Sequence, residues 1–379
     1  MPLRALARVN LAAIERNVTR LREVLDERTE LCAVVKGDGY GHGAVHAGEA
    51  ALAAGARQLA VATACEAAEL RAAGIGASLL VMGAISREEL PEALAAEAEL
   101  VAWSEPFVEE VARAAENRAI PTAPVRVHVK LDTGMGRLGT RDPVEARRVA
   151  DLVVAHEPTM ALAGVMTHLA TADEDPEFVA AQLDRFEPFV AELRRRWPEL
   201  VVHAANSAAT LTLPRSHFDL VRCGIAIYGC DPINRDPAER GLEPALELTS
   251  YVAAVKRTQP GDSAGYGRQF IAETETWIAT LPIVYADGIR RAYTNNCEVL
   301  VGGRRYPLVG TVSMDNITLD LGSDTAVSVG DVATLIGVDG AERQTAEELA
   351  RRIDTINYEV VCGISSRVPR AYHRDGTPV

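Results

Sequence analysis

The sequence has 379 residues, a mass of 40.6 kDa, a formal net charge of −14 at pH 7 and a pI near 5.1. This length is long for one domain and comfortable for two, and a hydrophobic content of 48% excludes a disordered chain. The acidic balance argues against nucleic acid or an anionic membrane as the main partner, although a single pocket can still be basic.

The cysteines and the N-terminal segment indicate the cellular compartment of the protein. The six cysteines form no C-x-x-C pair and no Cys/His cluster: Cys32, Cys65, Cys223, Cys230, Cys297 and Cys362. In a chain this long, such scatter indicates free thiols in a reducing compartment, and neither a disulfide framework nor a metal site. "MPLRALARVN" lacks the apolar core of a signal peptide, and no apolar run could span a bilayer. We expect a soluble, cytoplasmic protein without a metal.

The first two-thirds of the chain alternate helical and strand-like patterns. A helical stripe over residues 10–25, with Asn10 as its predicted N-cap, precedes the first apolar run. Eight continuous apolar runs then follow, separated by helices: 31–36, 58–62, 78–83, 99–104, 125–132, 162–168, 201–206 and 220–229. Continuous runs suit parallel strands buried on both faces, so residues 1–240 predict a (β/α)8 TIM barrel in the α/β class. An open doubly wound sheet is the alternative, but no G-x-G-x-x-G follows the first run.

The pattern changes near residue 240. Strand-like segments with Gly-rich turns follow, including a hairpin signal at Gly302-Gly303 and one helix with Thr345 as its predicted cap. Residues 241–379 therefore predict a mostly β C-terminal domain.

Polar residues follow the predicted barrel strands at the ends where barrel enzymes hold their active sites. These strand-end residues are Lys36, Lys130, Asp132, His168, Asn206, Ser207, Arg222, Gly224 and Ile225. Their position predicts a site at the C-terminal mouth of the barrel.

Lys36 opens the most informative segment, "KGDGYGHG". An amine at an apolar barrel mouth is poorly solvated as a cation, which favours a neutral nucleophile able to form a Schiff base with a carbonyl compound. The glycines let backbone amides approach a ligand, and Tyr40 offers a hydroxyl to a phosphate oxygen. A solvated lysine followed by a flexible turn is the ordinary alternative.

A second signal comes from "NSAAT" and "RCGIAIYG". Ser207 opens a predicted helix, and its hydroxyl together with the amides of Gly224 and Ile225 can bind an anion. Phosphate commonly binds in the loops after strands seven and eight of barrels. The alternative is that Ser207 only caps its helix.

Nine segments in order resemble the alanine racemase family across essentially the whole chain. They are "AVVKGDGYGHG", "VKLDTGMGRLG", "THLATADE", "NSAAT", "RCGIAIYG", "GYGRQF", "PIVYADG", "GTVSMDNITLD" and "YEVVCGISSRVPR". The resemblance implies a pyridoxal 5'-phosphate enzyme, an isomerase, that interconverts L- and D-alanine and supplies D-alanine for peptidoglycan in cell wall biogenesis. It also implies a homodimer with active sites shared across the interface.

The resemblance assigns the two bases. Lys36 would carry the cofactor covalently and act as one acid/base, and Tyr266 of the neighbouring subunit would serve the opposite face of the substrate α-carbon. His168 and then Arg222 would support the phenol, whose ordinary pKa near ~10 makes it a poor base. Arg222 would also face the pyridine nitrogen and keep it unprotonated, a weaker electron sink. A buried ion pair is the structural alternative for Arg222.

The resemblance also assigns binding residues. Lys130 would be carbamylated and orient Arg137, and the alternative is an exposed lysine beside a loop arginine. Arg137 and the Met314 amide, from the other subunit, would bind the substrate carboxylate, while Tyr285 would line the entrance. The remaining cofactor-binding positions, chiefly around the phosphate, are Tyr40, Asn206, Ser207, Gly224, Ile225 and Tyr358.

Some positions depart from the family pattern. Gly37 and Gly39 stand where alanine is common, and each extra glycine would loosen the loop by roughly 0.5–1 kcal/mol in backbone entropy. Val284 replaces a usual glycine and Ser313 a common cysteine, and Val284 leaves the shape of the entrance open. Three rivals remain: a racemase of serine or of broader specificity, a basic amino acid decarboxylase, and a non-catalytic cofactor-binding barrel. The decarboxylases pair the pyridine nitrogen with a carboxylate. Arg222 at that position therefore argues against the decarboxylase alternative.

Overall fold

The computed structural model describes residues 3–117 and 123–379. These residues divide into two compact units that interleave along the sequence. The barrel unit comprises Glu15–Gly39 and Ala44–Ile227, apart from the gap at 118–122, and the β-rich unit comprises the described residues up to Ile14, then Tyr40–Gly43 and Tyr228–Val379.

The barrel unit contains eight parallel strands that pair in chain order. They are Glu30–Val34, Gln58–Val61, Ser78–Val81, Glu99–Ala102, Val125–Lys130, Met160–Met166, Val201–His203 and Leu220–Cys223. The first strand pairs with both the second and the eighth. Backbone bonds from Asp219 N to Val202 O (3.0 Å) and from Arg222 N to Ala205 O (2.9 Å) connect the seventh and eighth strands. The predicted (β/α)8 TIM-barrel class is confirmed.

Helices follow the barrel strands and bury one face each. They are Ala44–Ala53, Ala64–Ala72, Leu90–Ala95, Glu105–Glu116, Pro143–Ala155, Pro176–Arg196 and Ser207–Thr212. In Glu105–Glu116 the buried residues Val108, Val111, Ala112 and Ala115 recur at helical spacing. The strands are buried on both faces, as continuous apolar runs predict.

The fifth strand, Val125–Lys130, is an exception to apolar filling. Its side chains alternate between the two faces, so Arg126, His128 and Lys130 share one face and the intervening valines share the other. His128 contacts His203 of the seventh strand, which places this polar face inside the barrel. A column of polar side chains therefore replaces part of the usual apolar interior.

The β-rich unit is built on an 11-stranded sheet with a separate two-stranded ribbon, Ser263–Ala264 with Phe270–Ile271. The sheet strands are Leu6–Asn10, Leu246–Tyr251, Ala254–Thr258, Thr276–Leu281, Cys297–Val301, Arg304–Val309, Ile317–Gly322, Val332–Asp339, Glu342–Gln344, Arg370–Arg374 and Thr377–Pro378. Two helices, Ala346–Arg352 and Asn357–Cys362, complete the unit. The predicted mostly β C-terminal region is confirmed as a class.

The first strand, Leu6–Asn10, is absent from the sequence-based prediction. It pairs antiparallel with Leu246–Tyr251 and parallel with Arg370–Arg374, so it belongs to the C-terminal sheet. Its alternating burial, with Ala7 and Val9 fully buried, is the period-two signal of a strand.

Two local predictions in the β-rich unit are confirmed. Gly302 and Gly303 adopt φ values of 60° and 75° between paired strands, as a tight hairpin requires. Thr345 caps its helix reciprocally with Glu348. Across the part of the chain that the structure describes, no helix has the length and apolarity needed to cross a membrane.

Candidate active site at the barrel mouth

Lys36 begins a left-handed turn immediately after the first barrel strand. Gly37, Asp38, Gly39 and Tyr40 have φ values of 62°, 52°, 60° and 52°. Only glycine enters this region without strain from a Cβ atom. The Glu66 carboxylate accepts from Gly37 N at 2.6 Å, which restrains the turn. The glycines at 37 and 39 thus match a defined conformation, so they need not loosen the loop.

Substituting these two glycines by alanine should have unequal effects. A Cβ at Gly37 would meet nothing within 4 Å, whereas one at Gly39 would lie 3.2 Å from Ala44 N and 3.3 Å from Ala44 Cα. We expect Gly37→Ala to cost about 1 kcal/mol of stability or less, because left-handed strain is partly offset in the unfolded chain. Gly39→Ala should cost roughly 1 kcal/mol more, because a neighbour must move.

Urea unfolding midpoints would measure this difference. Gly76→Ala is the matched control, because its Cβ would also meet nothing within 4 Å and its φ is not positive. Equal midpoints for the variants at 37 and 39 would contradict the conformation described for the turn.

Arg222 lies buried at the end of the eighth strand, with 3% of its surface exposed. Its Nη2 donates to Thr167 O at 2.9 Å, to Ala204 O at 3.1 Å and to His168 Nδ1 at 3.2 Å. Its Nη1 contacts His203 Nδ1 at 3.0 Å. Burial lowers the pKa of Arg222 to about 10, which still leaves it protonated at neutral pH. Within the described ranges no carboxylate pairs with Arg222, so the alternative of an ion pair is wrong.

His168 is held neutral beside this guanidinium. Burial, and then the charges of Arg222, Lys130, Arg137 and Lys36, hold its pKa well below the ordinary value. Because Nδ1 accepts from Arg222, the proton of the neutral ring resides on Nε2. His168 can therefore donate from Nε2 to an anionic oxygen.

Lys130 is a buried amine at the mouth, with 4% of its surface exposed, whereas Lys36 is half-buried. Burial, the largest cause, and the charges of Arg222, Arg137 and Lys36 lower the pKa of Lys130, and Asp132 opposes them. The net pKa is about 8. The alternative of an exposed lysine is wrong. At pH 7 roughly a tenth of this amine is then neutral, far more than for an ordinary lysine, and the neutral form is the nucleophile.

Asp132 organises the loop that carries Arg137. Its carboxylate accepts from Gly134 N at 3.1 Å and from Gly136 N at 3.0 Å, and it pairs with Arg141 at 3.1 Å. Arg137 itself is exposed. A strand-end aspartate followed by a Gly-rich segment, "DTGMG", is the sequence signal for this role.

Ser207, Gly224 and Asn206 meet after strands seven and eight. The Ser207 hydroxyl accepts from Gly224 N at 3.0 Å and from Ala226 N at 3.4 Å, and Ile225 between these donors is fully buried. The Asn206 side chain caps the helix by accepting from Ala209 N at 3.0 Å. The alternative that Ser207 is the cap is wrong. Because the Ser207 oxygen accepts from these amides, its own O–H can donate to an oxyanion.

The remaining candidate residues lie in the β-rich unit. Tyr40 packs against Tyr358, with ring centroids 6.1 Å apart. Tyr40 also packs against Tyr228 at 5.2 Å, a fully buried residue that sequence reasoning missed. Tyr266 and Met314 are 76% and 57% exposed, which is unusual for large apolar side chains.

The predicted entrance region also lies in the β-rich unit. Tyr285 is 41% exposed, whereas the preceding Val284 is fully buried. Val284 therefore contributes no surface of its own to an opening. Throughout the described ranges, no group of three or more His, Cys, Asp or Glu side chains could hold a metal ion.

Acid should destabilise the protein through two of these histidines. Burial, and then Arg222, His128 and Lys130, hold the pKa of His203 well below its ordinary value. The pKa of His168 is likewise well below its ordinary value, chiefly because of burial and then Arg222. The folded protein keeps both rings neutral, whereas the unfolded chain binds protons below about pH 6.5. The free energy of unfolding should therefore fall as pH drops through 6.5, by up to about 1.4 kcal/mol per pH unit for each ring.

Urea titrations at pH 8, 6.5, 6 and 5 would measure the slope. In a His203→Gln variant the slope should lose the contribution of one group. A free energy of unfolding that stays constant from pH 7 to pH 5 in the unsubstituted protein would contradict neutral, buried histidines.

A (β/α)8 barrel with a buried lysine, a buried guanidinium and a buried serine hydroxyl at its C-terminal mouth has the arrangement of a barrel-class enzyme. Family models agree: the alanine racemase N-terminal domain matches residues 9–232 and the alanine racemase C-terminal domain matches residues 245–372. The chain belongs to the alanine racemase family. Because both domains match, the rival of a barrel alone is excluded.

Individual relatives support this membership. Alanine racemase from Halalkalibacterium halodurans is 42% identical over 375 residues, covering 97% of this chain and 95% of the relative. The Geobacillus stearothermophilus protein of the same name is 41% identical over 374 residues, covering 97% and 93%. A solved alanine racemase from Bacillus anthracis with bound L-Ala-P aligns with a TM-score of 0.90 and 38% identity, over 100% of this chain and 97% of that chain. The predicted class, a pyridoxal phosphate-dependent amino acid racemase and thus an isomerase, is confirmed.

Proposed function

We propose that this enzyme interconverts L-alanine and D-alanine with pyridoxal 5'-phosphate. The observation that carries the proposal is the buried Arg222 guanidinium, which lacks a carboxylate partner in the described chain and contacts His168. Lys36 and Lys130 lie near enough to this pair to depress the pKa of His168. Relatives named alanine racemase, one of them solved with bound L-Ala-P, support the choice of alanine.

The residues at the mouth fit a phosphorylated aldehyde. An amine (Lys36), a buried hydroxyl (Ser207) and the nearby Gly224 amide supply a covalent anchor and neutral donors, and the surrounding cations favour an anion. When bound, the cofactor supplies an aldehyde that joins the substrate amine and a ring that withdraws electrons from the α-carbon. Under this proposal the other cofactor-binding positions, mostly around the phosphate, are Asn206, Ile225, Tyr40, Tyr358, Arg137 and His168.

Two bases on opposite faces would move the α-proton. Lys36 Nζ would serve one face, and the hydroxyl of Tyr266 from a partner subunit would serve the other. The 76% exposure of Tyr266 and the 57% exposure of Met314 in the single chain support burial in a homodimer. The Nε2–H of neutral His168 would donate to the phenolate oxygen and so favour the anion.

Arg222 would hold the ring nitrogen of the cofactor unprotonated. A guanidinium donates and does not give up its proton readily, so the nitrogen facing it stays an acceptor. This limits how far the ring withdraws electrons, which restrains side reactions. Decarboxylases of the rival group place a carboxylate against this ring nitrogen, whereas here a guanidinium would face it. Arg222 therefore also argues against the decarboxylase rival.

Lys130 is proposed to carry a carbamate. The neutral amine would attack carbon dioxide, form a C–N bond and release a proton, leaving an anion that orients Arg137. The Arg137 guanidinium and the Met314 amide of the partner subunit would then hold the substrate carboxylate, with Tyr285 at the entrance.

Carbon-13 bicarbonate should reveal this carbamate by NMR. We expect a carbamate resonance in the unsubstituted protein and in Lys256→Arg, because Lys256 is exposed in the β-rich unit. In Lys130→Arg the resonance should disappear. A resonance that survives in Lys130→Arg would refute carbamylation at this position.

The cellular setting is proposed on similar grounds. All six cysteines are free, four of them buried, which supports a reducing compartment such as the cytoplasm. There the D-alanine product would supply peptidoglycan synthesis. The substrate is a small amino acid, and neither nucleic acid nor a membrane is proposed as a partner.

The enantiomer ratio of alanine tests the function. Runs started from pure L-alanine and from pure D-alanine, each with added pyridoxal phosphate, should converge on an equal mixture, because enantiomers have equal free energies. Parallel runs with serine distinguish an alanine racemase from a racemase of serine or of broader specificity, because they compare kcat/KM for serine with kcat/KM for alanine. Unchanged enantiomers in both alanine runs would overturn the proposal.

A further inference from the structure

We propose that Glu99, at the N-terminal end of the barrel, is a positioning residue for Arg222 and acts through His128 and His203. The proposal rests on the proposed function in that it gives Arg222 a role at the mouth. It extends the site through the barrel interior to the end opposite Lys36.

The four side chains form a continuous series of short contacts. Arg222 Nη1 lies 3.0 Å from His203 Nδ1, and His203 Nε2 lies 2.9 Å from His128 Nδ1. His128 Nε2 lies 2.7 Å from Glu99 Oε2. Glu99 begins the fourth strand, His128 lies within the fifth and His203 ends the seventh, so the series runs along the barrel interior. All four residues are at most 5% exposed.

Only one arrangement of protons satisfies the whole series. Arg222 has donors alone, so His203 Nδ1 must accept and the proton of His203 must reside on Nε2. His203 then donates to His128 Nδ1, which leaves the proton of His128 on Nε2. His128 in turn donates to Glu99. Both imidazoles are therefore neutral, both carry Nε2–H, and every hydrogen bond points from the cation towards the carboxylate.

Glu99 is equipped to end this series as an anion. Arg126 Nε donates to its other oxygen, Oε1, at 2.9 Å. Burial raises the pKa of Glu99, but the hydrogen bond from His128 and the hydrogen bond and charge of Arg126 act in the opposite direction, and the pKa lies below its ordinary value. A carboxylate accepts from both neighbours at once, whereas an amide in its place presents one acceptor and one donor.

Charge explains why Arg222 needs this distant partner. Its guanidinium is buried, and no carboxylate contacts it within the described ranges. Glu99 supplies the balancing negative charge through two polarised rings, in an interior where hydrogen-bonded chains reinforce one another. His203 also fixes the direction of Nη1, which leaves Nη2 aimed at His168.

Replacing Glu99 by glutamine should disturb the whole series. If the Gln oxygen faces Arg126, its NH2 group faces His128 Nε2, and each ring must shift its proton from Nε2 to Nδ1. His203 Nδ1–H would then oppose Arg222 Nη1–H, donor against donor. Glu99→Gln should therefore release Arg222 from His203 while leaving every residue at the mouth chemically unchanged.

Nitrogen-15 NMR of histidine tests the proposal directly in the full-length protein. With eight histidines in the chain, selective labelling gives few resonances, and His→Gln variants assign them. We expect both His128 and His203 to carry their proton on Nε2 and none on Nδ1, whether or not pyridoxal phosphate has been added. In Glu99→Gln the Nδ1 of His203 should become protonated. Wild-type rings of the opposite tautomer, or a His203 resonance unaffected by Glu99→Gln, would overturn the proposal.

Catalysis supplies a second readout with a matched control. We expect Glu99→Gln to lower kcat by roughly tenfold with little change in KM, as misplacement of a site group does. Glu30→Gln is the control, because Glu30 begins the first barrel strand, pairs with Arg57 at 3.6 Å and lines the same cavity of about 530 Å³ as Glu99. Equal kcat values for these two variants would overturn the positioning role. If the unsubstituted protein has the expected tautomers but no racemase activity, the proposed function is contradicted, whereas the hydrogen-bond series from Arg222 to Glu99 is supported.

Discussion

Replacing Lys36 by alanine is expected to lower kcat/KM for alanine racemisation by roughly 1000-fold or more. Under the proposed function the substitution would remove both a covalent anchor and one of two acid/base groups, and general acid/base catalysis alone typically contributes 100- to 10,000-fold. Lys36 stands where a barrel strand enters a left-handed turn, so its backbone has a defined conformation. Initial rates from each enantiomer, at saturating pyridoxal phosphate, would measure the loss in both directions.

The small number of lysines makes a chemical control possible. The sequence contains only three, Lys36, Lys130 and Lys256. Borohydride reduction of the lysine–cofactor linkage, followed by peptide mapping, should place the label on Lys36 alone. Lys256→Ala should retain both the label and the activity, since Lys256 is exposed in the β-rich unit. A label found on Lys130, or activity that persists in Lys36→Ala, would remove Lys36 from its proposed role.

Replacing Tyr266 by phenylalanine is expected to slow racemisation by roughly 100- to 10,000-fold while sparing proton exchange on one face. Without the phenol, Lys36 can still remove and return the α-proton of one enantiomer. In D2O that enantiomer should exchange its α-hydrogen for deuterium without being converted into the other. Mass spectrometry combined with chiral separation would measure exchange and inversion together.

Tyr285→Phe provides the control for Tyr266→Phe. Tyr285 belongs to the same unit, is 41% exposed and would lose the same hydroxyl group. We expect its racemisation rate to change only a few-fold, because under the proposed function Tyr285 lines the entrance and would touch no reacting atom. Full-rate racemisation by Tyr266→Phe, or equal losses in the two variants, would exclude the two-base assignment.

The barrel was predictable because its signal is local. Each strand lies between two helices and is buried on both faces, so continuous apolar runs mark it without knowledge of its partners. The end of the eighth strand was harder to predict: the apolar run continues to residue 229, but the strand stops at Cys223 and Ile225–Tyr228 form a 3₁₀ helix. Apolar composition alone does not separate these two conformations.

The mouth was more predictable than the interior. Parallel strands gather their C-terminal ends, so strand-end residues such as Lys130 and Arg222 could be assigned to one place without coordinates. The left-handed turn after Lys36 could not be separated from a flexible loop, because glycine is compatible with both. The contacts that link Arg222 to Glu99 were not predicted. The strand "VRVHVK" nevertheless indicates them, because it has three polar residues at period two in a mostly buried strand.

The pairing of Leu6–Asn10 has a consequence during synthesis. Ala7 pairs with Arg370, so about 360 residues must be made before this strand meets its C-terminal neighbour. At ribosomal rates of 5–20 residues per second, the interval is roughly 20 to 70 seconds. The barrel strands, by contrast, pair with the next strand along the chain and can assemble as they emerge, apart from the pairing of the first strand with the eighth that closes the barrel. Leu6–Asn10 can therefore pair along one edge once Leu246–Tyr251 has been made, while its other edge stays unsatisfied until Arg370–Arg374 follows and could be protected by chaperones meanwhile.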